Sequence, residues 1–282
     1  MLEVVAHAAT EGAERLLVER ILEVVHRCTG TDFTLYRPPT MRRRIGNRMI
    51  HVGKATLSDY LEYLEANEDE AGGLLSRLTI KVSRFYRNAS TFDRLRAQVI
   101  PELAQSRAPL RIWSAGCGRG EEAYTLAMLL LDAGIEGRID ATDIDPDALD
   151  QAAAARYGAE AFEELPADLR ARYVVPPAPD GVAKYRVREC VRARVRYSRH
   201  DLTGNRPVGR GYDLVLFRNV AIYLAREPQQ RVFEGVVAAL RPGGYLCLGE
   251  AEWPPVRVER RLECVARKLK LFRATGDGMR RV

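Results

Sequence analysis

The chain has 282 residues, of which 46% are hydrophobic and 29% charged, and its formal net charge is +6. These values are ordinary for a soluble globular protein with one large core or two smaller ones. No apolar run approaches the roughly 20 residues that span a bilayer, and the N-terminus is too short and too acidic for a signal peptide. The sequence therefore predicts a cytoplasmic protein that does not insert into a membrane.

Cysteine and histidine give no support for a metal site or a disulfide framework. The five cysteines are scattered without a C-x-x-C pair, and the four histidines form no pair at i, i+4 spacing. We therefore expect thiols in a reducing compartment and no bound metal. Arginine dominates the positive charge, which suits either nucleic acid or an acidic protein partner.

The first hundred residues have helical patterning. Apolar residues recur at helical spacing up to Gly30, which ends the first helix. Further helices are predicted around Met41–Val52, from a capping box at Thr56–Asp59, over 71–79, and from a second capping box at Ser90–Asp93 to about Leu103. We assign residues 1–88 to an N-terminal helical domain and 89–282 to a second domain.

From Leu110 the pattern changes to alternating strands and helices. Strands are predicted at 110–114, 138–142, 213–217 and 244–249, and helices at 121–132, 146–156 and 227–240. This alternation predicts an α/β fold whose parallel sheet has helices on both faces.

Residues 157–200 interrupt that rhythm. Several prolines and an Asp180-Gly181 turn are followed by alternation of apolar and basic residues in 184–188 and 191–197. The period of two predicts small antiparallel strands in an inserted β-subdomain. Its arginines are equally explained as the solvated face of those strands.

A glycine-rich loop is the most informative motif. Gly116, Gly118 and Gly120 follow an apolar strand and lead directly into a helix, where glycine allows a tight turn and close approach of a ligand. Asp143 ends the next strand, 23 residues after Gly120, and an acid there can accept hydrogen bonds from ribose hydroxyls. The loop and the acid together predict a cofactor that contains a nucleoside.

The residues after the loop discriminate between nucleoside cofactors. The spacing is G-x-G-x-G, not the G-x-G-x-x-G of many dinucleotide sites, and Glu121 and Glu122 open the helix. Two carboxylates there would repel a pyrophosphate, but would attract the sulfonium and ammonium groups of S-adenosylmethionine. The alternative is that both acids only satisfy the helix dipole.

With these residues in place, the chain resembles the CheR family of chemotaxis receptor methyltransferases. The resemblance covers roughly residues 15–275, and its matching segments occur in family order at 82–88, 113–124, 141–145, 217–223 and 240–246. Departures are Ala123 and Thr125 for the usual proline and serine, Lys81 for asparagine, and Gly249–Trp253 for a G-H-S-E ending. The last departure leaves the substrate's identity open.

The resemblance implies a Rossmann-like S-adenosylmethionine-dependent methyltransferase domain, a small all-helical N-terminal domain and an inserted antiparallel β-subdomain. It also implies methyl transfer to receptor glutamates, giving a methyl ester and S-adenosylhomocysteine. By position, Asp143 matches the ribose-binding acid, and Asp201 lies on the adenine side. The full predicted cofactor-binding set is Ser83, Arg87, Gly116, Gly118, Gly120, Glu121, Glu122, Asp143, Asp201, Arg218 and Asn219.

The predicted chemistry needs few catalytic groups. A glutamate carboxylate is ionised at neutral pH and needs no general base, so alignment and exclusion of water are the main requirements. The resemblance places Tyr223 on the family's active-site tyrosine and Arg87 in its cofactor-contacting segment, and we assign catalytic roles to both. Arg87 can orient the carboxylate through two parallel hydrogen bonds. The alternatives are a domain-joining salt bridge for Arg87 and a core aromatic role for Tyr223.

A basic helix indicates the partner. Arg44 and Arg48 share one helix face, with Arg43 beside them. The resemblance implies that these arginines dock the acidic helical bundle of a chemoreceptor's signalling domain, and the alternative is a solvated surface.

Other interpretations of the function are methylation of a different protein or small acid, or a cofactor-binding module without activity. Nucleic acid is not expected, because residues 219–222 lack the N/D-P-P-Y/F signature used to stack a flipped base.

Overall fold

The computed structural model describes residues 2–79, 83–177, 184–204 and 208–276, with the backbone alone for 2–11. It contains two compact units: Met1–Ile80 with Tyr223–Pro228, and Lys81–Ile222 with Gln229–Val282. The segment 83–88 thus belongs to the second unit, and a domain boundary after residue 88 stays a prediction. The sequence features at residues 81–82 and 179–181 lie outside the described residues.

The first unit is helical, as the sequence predicts. Its helices are α1 (Leu2–Thr29), α2 (Pro38–His51), α3 (Leu57–Ala66) and α4 (Glu68–Leu78). Gly30 follows α1 with φ +75°, and Thr56 caps α3 by accepting a hydrogen bond from the Asp59 N–H at 3.1 Å. The apolar faces bury one shared core, to which Ile21 and Ile45 contribute fully buried side chains.

The second unit alternates strands with helices. Its helices are α5 (Ala89–Arg94), α6 (Ile100–Ser106), α7 (Glu121–Asp132), α8 (Pro146–Ala154), α9 (Ala167–Tyr173), α10 (Glu189–Arg192), α11 (Arg226–Ala239), which belongs to this unit from Gln229 onward, and α12 (Val256–Glu259). Its strands are β1 (Leu110–Ala115), β2 (Gly137–Asp143), β3 (Arg156–Tyr157), β4 (Val174–Val175), β5 (Tyr185–Val187), β6 (Val195–Arg199), β7 (Tyr212–Phe217), β8 (Leu240–Leu248), β9 (Leu262–Ala266) and β10 (Leu271–Ala274). A π-helical segment, Leu95–Val99, joins α5 to α6.

The main sheet has seven strands in the order β6-β2-β1-β7-β8-β10-β9. Strands β6, β2, β1, β7 and β8 pair in parallel, and β10 pairs antiparallel with β8 and β9. The α/β prediction is therefore confirmed, and the antiparallel strands β9 and β10 are additions that the sequence analysis missed. The carboxyl ends of β1, β2 and β7 meet at one edge, where ligands of such sheets bind.

The antiparallel β-subdomain is present, but its extent was predicted wrongly. It consists of β3, β5 and β4 in that order, whereas β6 lies in the main sheet, parallel to β2. An edge strand of the main sheet gives the same period of two, because Val195 and Tyr197 are half-buried while Arg196 between them is exposed. Alternation alone could not distinguish the two placements.

The capping box predicted at Ser90–Asp93 is also wrong. The N-cap of helix α5 lies two residues earlier, at Asn88, which has a left-handed conformation (φ 65°) and makes no side-chain capping bond. The side-chain amide of Asn88 is instead bonded to Arg218 and Glu250. In the described part of the chain, no helix has the length and apolarity needed to cross a membrane.

Candidate functional site

The glycine loop is tied to the end of the neighbouring strand. The backbone N–H groups of Gly116 and Cys117 both donate to the Thr142 carbonyl, at 2.8 and 2.9 Å. Gly116, Gly118 and Gly120 all have positive φ, at 79°, 54° and 89°. Since residues with side chains rarely adopt this region, the backbone of the loop favours glycine at all three positions.

The three glycines differ in what surrounds them. A Cβ on Gly116 would lie 2.4 Å from Cγ2 of Val220, and one on Gly120 would lie 2.4 Å from the Tyr197 hydroxyl. A Cβ on Gly118 would meet no atom within 4 Å. The outer glycines therefore allow the protein to pack on the loop, while the middle glycine borders open space.

Asp143 faces that middle glycine. Its Oδ2 accepts a hydrogen bond from the Gly118 N–H at 2.8 Å, and its Oδ1 accepts one from the Asp145 N–H at 3.0 Å. Burial raises the pKa of Asp143, while these N–H groups act in the opposite direction. A carboxylate has about four acceptor positions, so each oxygen has capacity for a ribose hydroxyl.

The two acids at the start of α7 have different environments. Glu122 is held by the protein, because it accepts from the Ser114 hydroxyl at 2.7 Å and from Arg218 at 3.1 Å. Glu121 is 1% exposed, and its Oε2 has no hydrogen-bond partner in the described structure. Burial raises the pKa of Glu121, with Arg119 opposing this at 3.8 Å. An unsatisfied buried carboxylate oxygen would be stabilised by a cationic group.

Arg218 connects three parts of the second unit. Its buried guanidinium donates to Glu122, to the Arg87 carbonyl at 3.0 Å and to the Asn88 side-chain oxygen at 2.6 Å. Burial opposes the charge, but the nearby acidic groups, among them Glu122 and Glu252, together hold the pKa of Arg218 above its ordinary value. Its predicted contact with the cofactor stays a prediction, and its observed contacts hold the segment that carries Arg87.

Arg87 lies between two residues in the left-handed region, Tyr86 at φ 62° and Asn88 at φ 65°. The Tyr86 N–H donates to the Thr125 hydroxyl at 3.1 Å, and the Asn88 amide donates to Glu250 at 2.9 Å. Such backbone conformations persist only where the surroundings enforce them, and they concentrate at functional sites. Ser83, at the start of this described segment, is half-buried.

Asn219 and Asp201 lie after strands β7 and β6. Asn219 has φ 60°, and its N–H donates to the buried Glu252 carboxylate at 2.9 Å. Asp201 accepts from the N–H and hydroxyl of Thr203, at 2.8 and 2.6 Å, in a local turn. The N–H of His200 donates to the Asp143 carbonyl at 2.9 Å, which places the neighbouring Asp201 near the loop. Asp201's role on the adenine side stays a prediction.

Tyr223 lies in the helical unit, as does the predicted docking helix. The Arg44 guanidinium lies 5.3 Å from the centre of the Tyr223 ring and also donates to the Leu78 carbonyl. Burial lowers the pKa of Arg44, with Tyr223 opposing this. The contact between Arg44 and Tyr223 was not anticipated, and the catalytic role of Tyr223 stays a prediction.

Arg48 is neutralised inside the helical unit. Its guanidinium forms two hydrogen bonds with Glu70, at 2.8 and 2.6 Å, and the Tyr60 hydroxyl donates to the same carboxylate at 2.7 Å. Arg43 is exposed, and no described carboxylate lies within ion-pair distance of it. Of the three predicted docking arginines, Arg43 is the one available to a partner.

Two family profiles match the chain. The profile described as "CheR methyltransferase, SAM binding domain" covers residues 81–269, and "CheR methyltransferase, all-alpha domain" covers residues 17–79.

Relatives match over most of this chain. A "Chemotaxis protein methyltransferase" of Listeria monocytogenes is 34% identical over 81% of this chain and 87% of its own length. A "Probable biofilm formation methyltransferase WspC" of Pseudomonas putida is 32% identical over 83% of this chain and 56% of its own length. An "Uncharacterized 104.1 kDa protein in hypE 3'region" of Rhodobacter capsulatus is 33% identical over 92% of this chain. The chain spans 28% of that relative's length.

Proposed function

The chain belongs to the CheR methyltransferase family, and we propose that it methylates glutamate side chains of a chemoreceptor with S-adenosylmethionine as the methyl donor. The products are a glutamate methyl ester and S-adenosylhomocysteine. The observation that carries the proposal is the open space beside Gly118, bordered by the Asp143 carboxylate. The name of the Listeria relative supports the class of substrate.

The residues of the loop fit this cofactor. Asp143 would accept hydrogen bonds from ribose hydroxyls, and Gly118 would let the ligand approach the backbone. Glu121 and Glu122 add negative charge at the start of α7, which would favour a cationic ligand near the loop. When bound, S-adenosylmethionine supplies an electrophilic methyl group on a positively charged sulfur.

The chain's own residues would align the acceptor and keep water out. The incoming glutamate is already an anion, so no residue has to remove a proton from it. We assign Arg87 to orient that carboxylate, because a guanidinium can bind both carboxylate oxygens in one plane. Tyr223 is proposed to donate a hydrogen bond or pack against the methyl group.

A methyl-transfer assay tests the proposed activity. Purified protein, tritiated S-adenosylmethionine and receptor-rich membranes should yield label on receptor glutamates that is released by mild base. The expected label is lost when receptor glutamates in the signalling domain are replaced by glutamine. Label on RNA or on a small acid would contradict the proposed substrate, and so would label on a protein other than a receptor.

We further propose that the partner is the acidic helical bundle of the receptor's signalling domain and that the reaction takes place in the cytoplasm. Arg43→Glu should slow receptor methylation roughly five- to tenfold at low ionic strength, because an exposed charge mainly affects the association rate. The effect should shrink as salt increases. Initial rates at several salt concentrations, with cofactor affinity measured in parallel, check this.

Arg231→Glu is the matched control, since Arg231 is an exposed arginine on α11. It should leave the rate within about twofold of the wild type. Arg48→Glu is a poor probe of docking, because it would place a second carboxylate against Glu70 and disturb the helical unit itself. Equal rates for wild type and Arg43→Glu at low salt would show that this helix is not the docking face.

A further inference from the structure

A buried carboxylate outside the predicted site lies beneath the turn that follows β7. Glu252 is 3% exposed, and it follows β8 by four residues. Its Oε2 accepts from the N–H groups of Asn219 and Gly249, at 2.9 and 2.8 Å, and its Oε1 accepts from Val220 at 2.9 Å. Three backbone donors from two separate segments therefore converge on one side chain.

The turn held by Glu252 contacts the glycine loop. Val220 is the residue whose Cγ2 would collide with a Cβ on Gly116, so it forms the immediate neighbour of the first bend. Asn219 is held in the left-handed region, which costs free energy unless its surroundings enforce it. A displacement of this turn would move the Asn219 side chain and would also move Val220, which packs against Gly116.

We propose that Glu252 is a positioning residue for cofactor binding. Its carboxylate fixes the Asn219–Val220 turn, and that turn sets the Asn219 side chain and supports the Gly116 bend. The inference rests on the proposed function, because it assigns the turn to the S-adenosylmethionine site. Glu252 acts through the turn and need not touch the cofactor.

The donor set explains why a carboxylate is needed. An ionised carboxylate only accepts hydrogen bonds, whereas glutamine replaces one oxygen with an NH₂ group that donates. In Glu252→Gln, that NH₂ would face either the Val220 N–H or the pair of N–H groups from Asn219 and Gly249. The turn would therefore lose hydrogen bonds with almost no change in side-chain volume.

Glu252→Gln should weaken binding of S-adenosylhomocysteine at least tenfold by calorimetry. It should also speed amide hydrogen exchange at Asn219 and Val220, a local readout that a general loss of stability would not produce selectively. Glu102→Gln is the matched control, because Glu102 accepts from the Tyr245 hydroxyl on β8 at 2.9 Å. It should leave both the affinity and the exchange at the turn unchanged.

Gly249→Ala perturbs the same turn while keeping the glutamate at position 252. Its Cβ would lie 2.8 Å from the Asn219 backbone nitrogen, from the Asn219 side-chain nitrogen and from Oε2 of Glu252, so it would disturb both the turn and the carboxylate that holds it. This variant should also weaken S-adenosylhomocysteine binding, and it keeps the test decisive if Glu252→Gln does not fold.

The outcomes separate this inference from the proposed function. Wild-type affinity in a folded Glu252→Gln, or in Gly249→Ala if the former does not fold, would refute positioning by the turn while leaving the methyltransferase assignment intact. A wild-type protein that does not bind S-adenosylhomocysteine would refute the cofactor assignment. In that case, an unchanged rate of amide hydrogen exchange at Asn219 and Val220 in Glu252→Gln would show that Glu252 does not fix the turn.

Discussion

Asp143→Ala is expected to weaken S-adenosylhomocysteine binding about a hundredfold. A hydrogen bond to a charged group contributes about 1.5–3 kcal/mol, and about 1.4 kcal/mol corresponds to a tenfold change in affinity. The variant would lose the acceptors for the ribose hydroxyls. It would also release the Gly118 N–H, which Asp143 Oδ2 holds at 2.8 Å, so the loop itself would be less ordered.

Titration calorimetry with S-adenosylhomocysteine measures this effect directly. Asp140→Ala is the matched control, because Asp140 lies on the same strand and accepts from the Tyr212 hydroxyl at 2.8 Å, away from the loop. Asp143→Asn should give an intermediate loss, since one acceptor oxygen remains. An Asp143→Ala variant that binds within threefold of the wild type would refute the ribose assignment.

The sequence predicted those features of the fold that depend on local pattern. The glycine loop, the strand that ends at Asp143 and the start of α8 at Pro146 all follow from short-range rules, and the structure has each of them. The capping box at Ser90 failed because the preceding Asn88 has a tertiary role that its local sequence does not encode. Strand β6 was misplaced because an edge strand and a small antiparallel sheet share the same period.

The parts of the candidate site that sequence reasoning missed are long-range contacts. Glu252 lies 33 residues from Asn219, and Glu250 lies 162 residues from Asn88. No spacing rule connects positions so far apart. The available signal was an acid four residues after a buried strand, in a segment already noted for departing from the family's usual ending, and its burial is visible only in the fold.

Charge pattern was the least reliable guide. Arg44 and Arg48 have the spacing of an exposed docking face, yet the structure places one against Tyr223 and the other against Glu70. A run of arginines in the sequence gives the local net charge, but it does not show which carboxylates pair with those arginines in the folded protein. Before a docking face is predicted from such a run, the arginines that the fold already holds by internal contacts should be excluded. Of the three arginines predicted here, this leaves Arg43.

Arg218→Met is expected to destabilise the second unit by about 3–5 kcal/mol, because it leaves the Glu122 carboxylate without its ion-pair partner in a buried position. The side chains of Arg218 and Glu122 are only 3% and 13% exposed. A loss of this size should lower the midpoint of thermal unfolding by about 10 °C for a unit of this length. Calorimetric or near-ultraviolet melting measures it.

A double substitution distinguishes loss of the ion pair from loss of packing. If the unpaired charge is the cause, Arg218→Met with Glu122→Gln should be more stable than Arg218→Met alone, since no buried charge then remains unpaired. Arg194→Met removes the ion-pair partner of the exposed Glu136 and should leave the melting midpoint nearly unchanged. A midpoint for Arg218→Met within 2 °C of the wild type would mean that Arg218 does not hold Glu122 and Asn88 together. The fixed backbone at Arg87 would then need another cause, because two of the contacts that hold it come from this guanidinium.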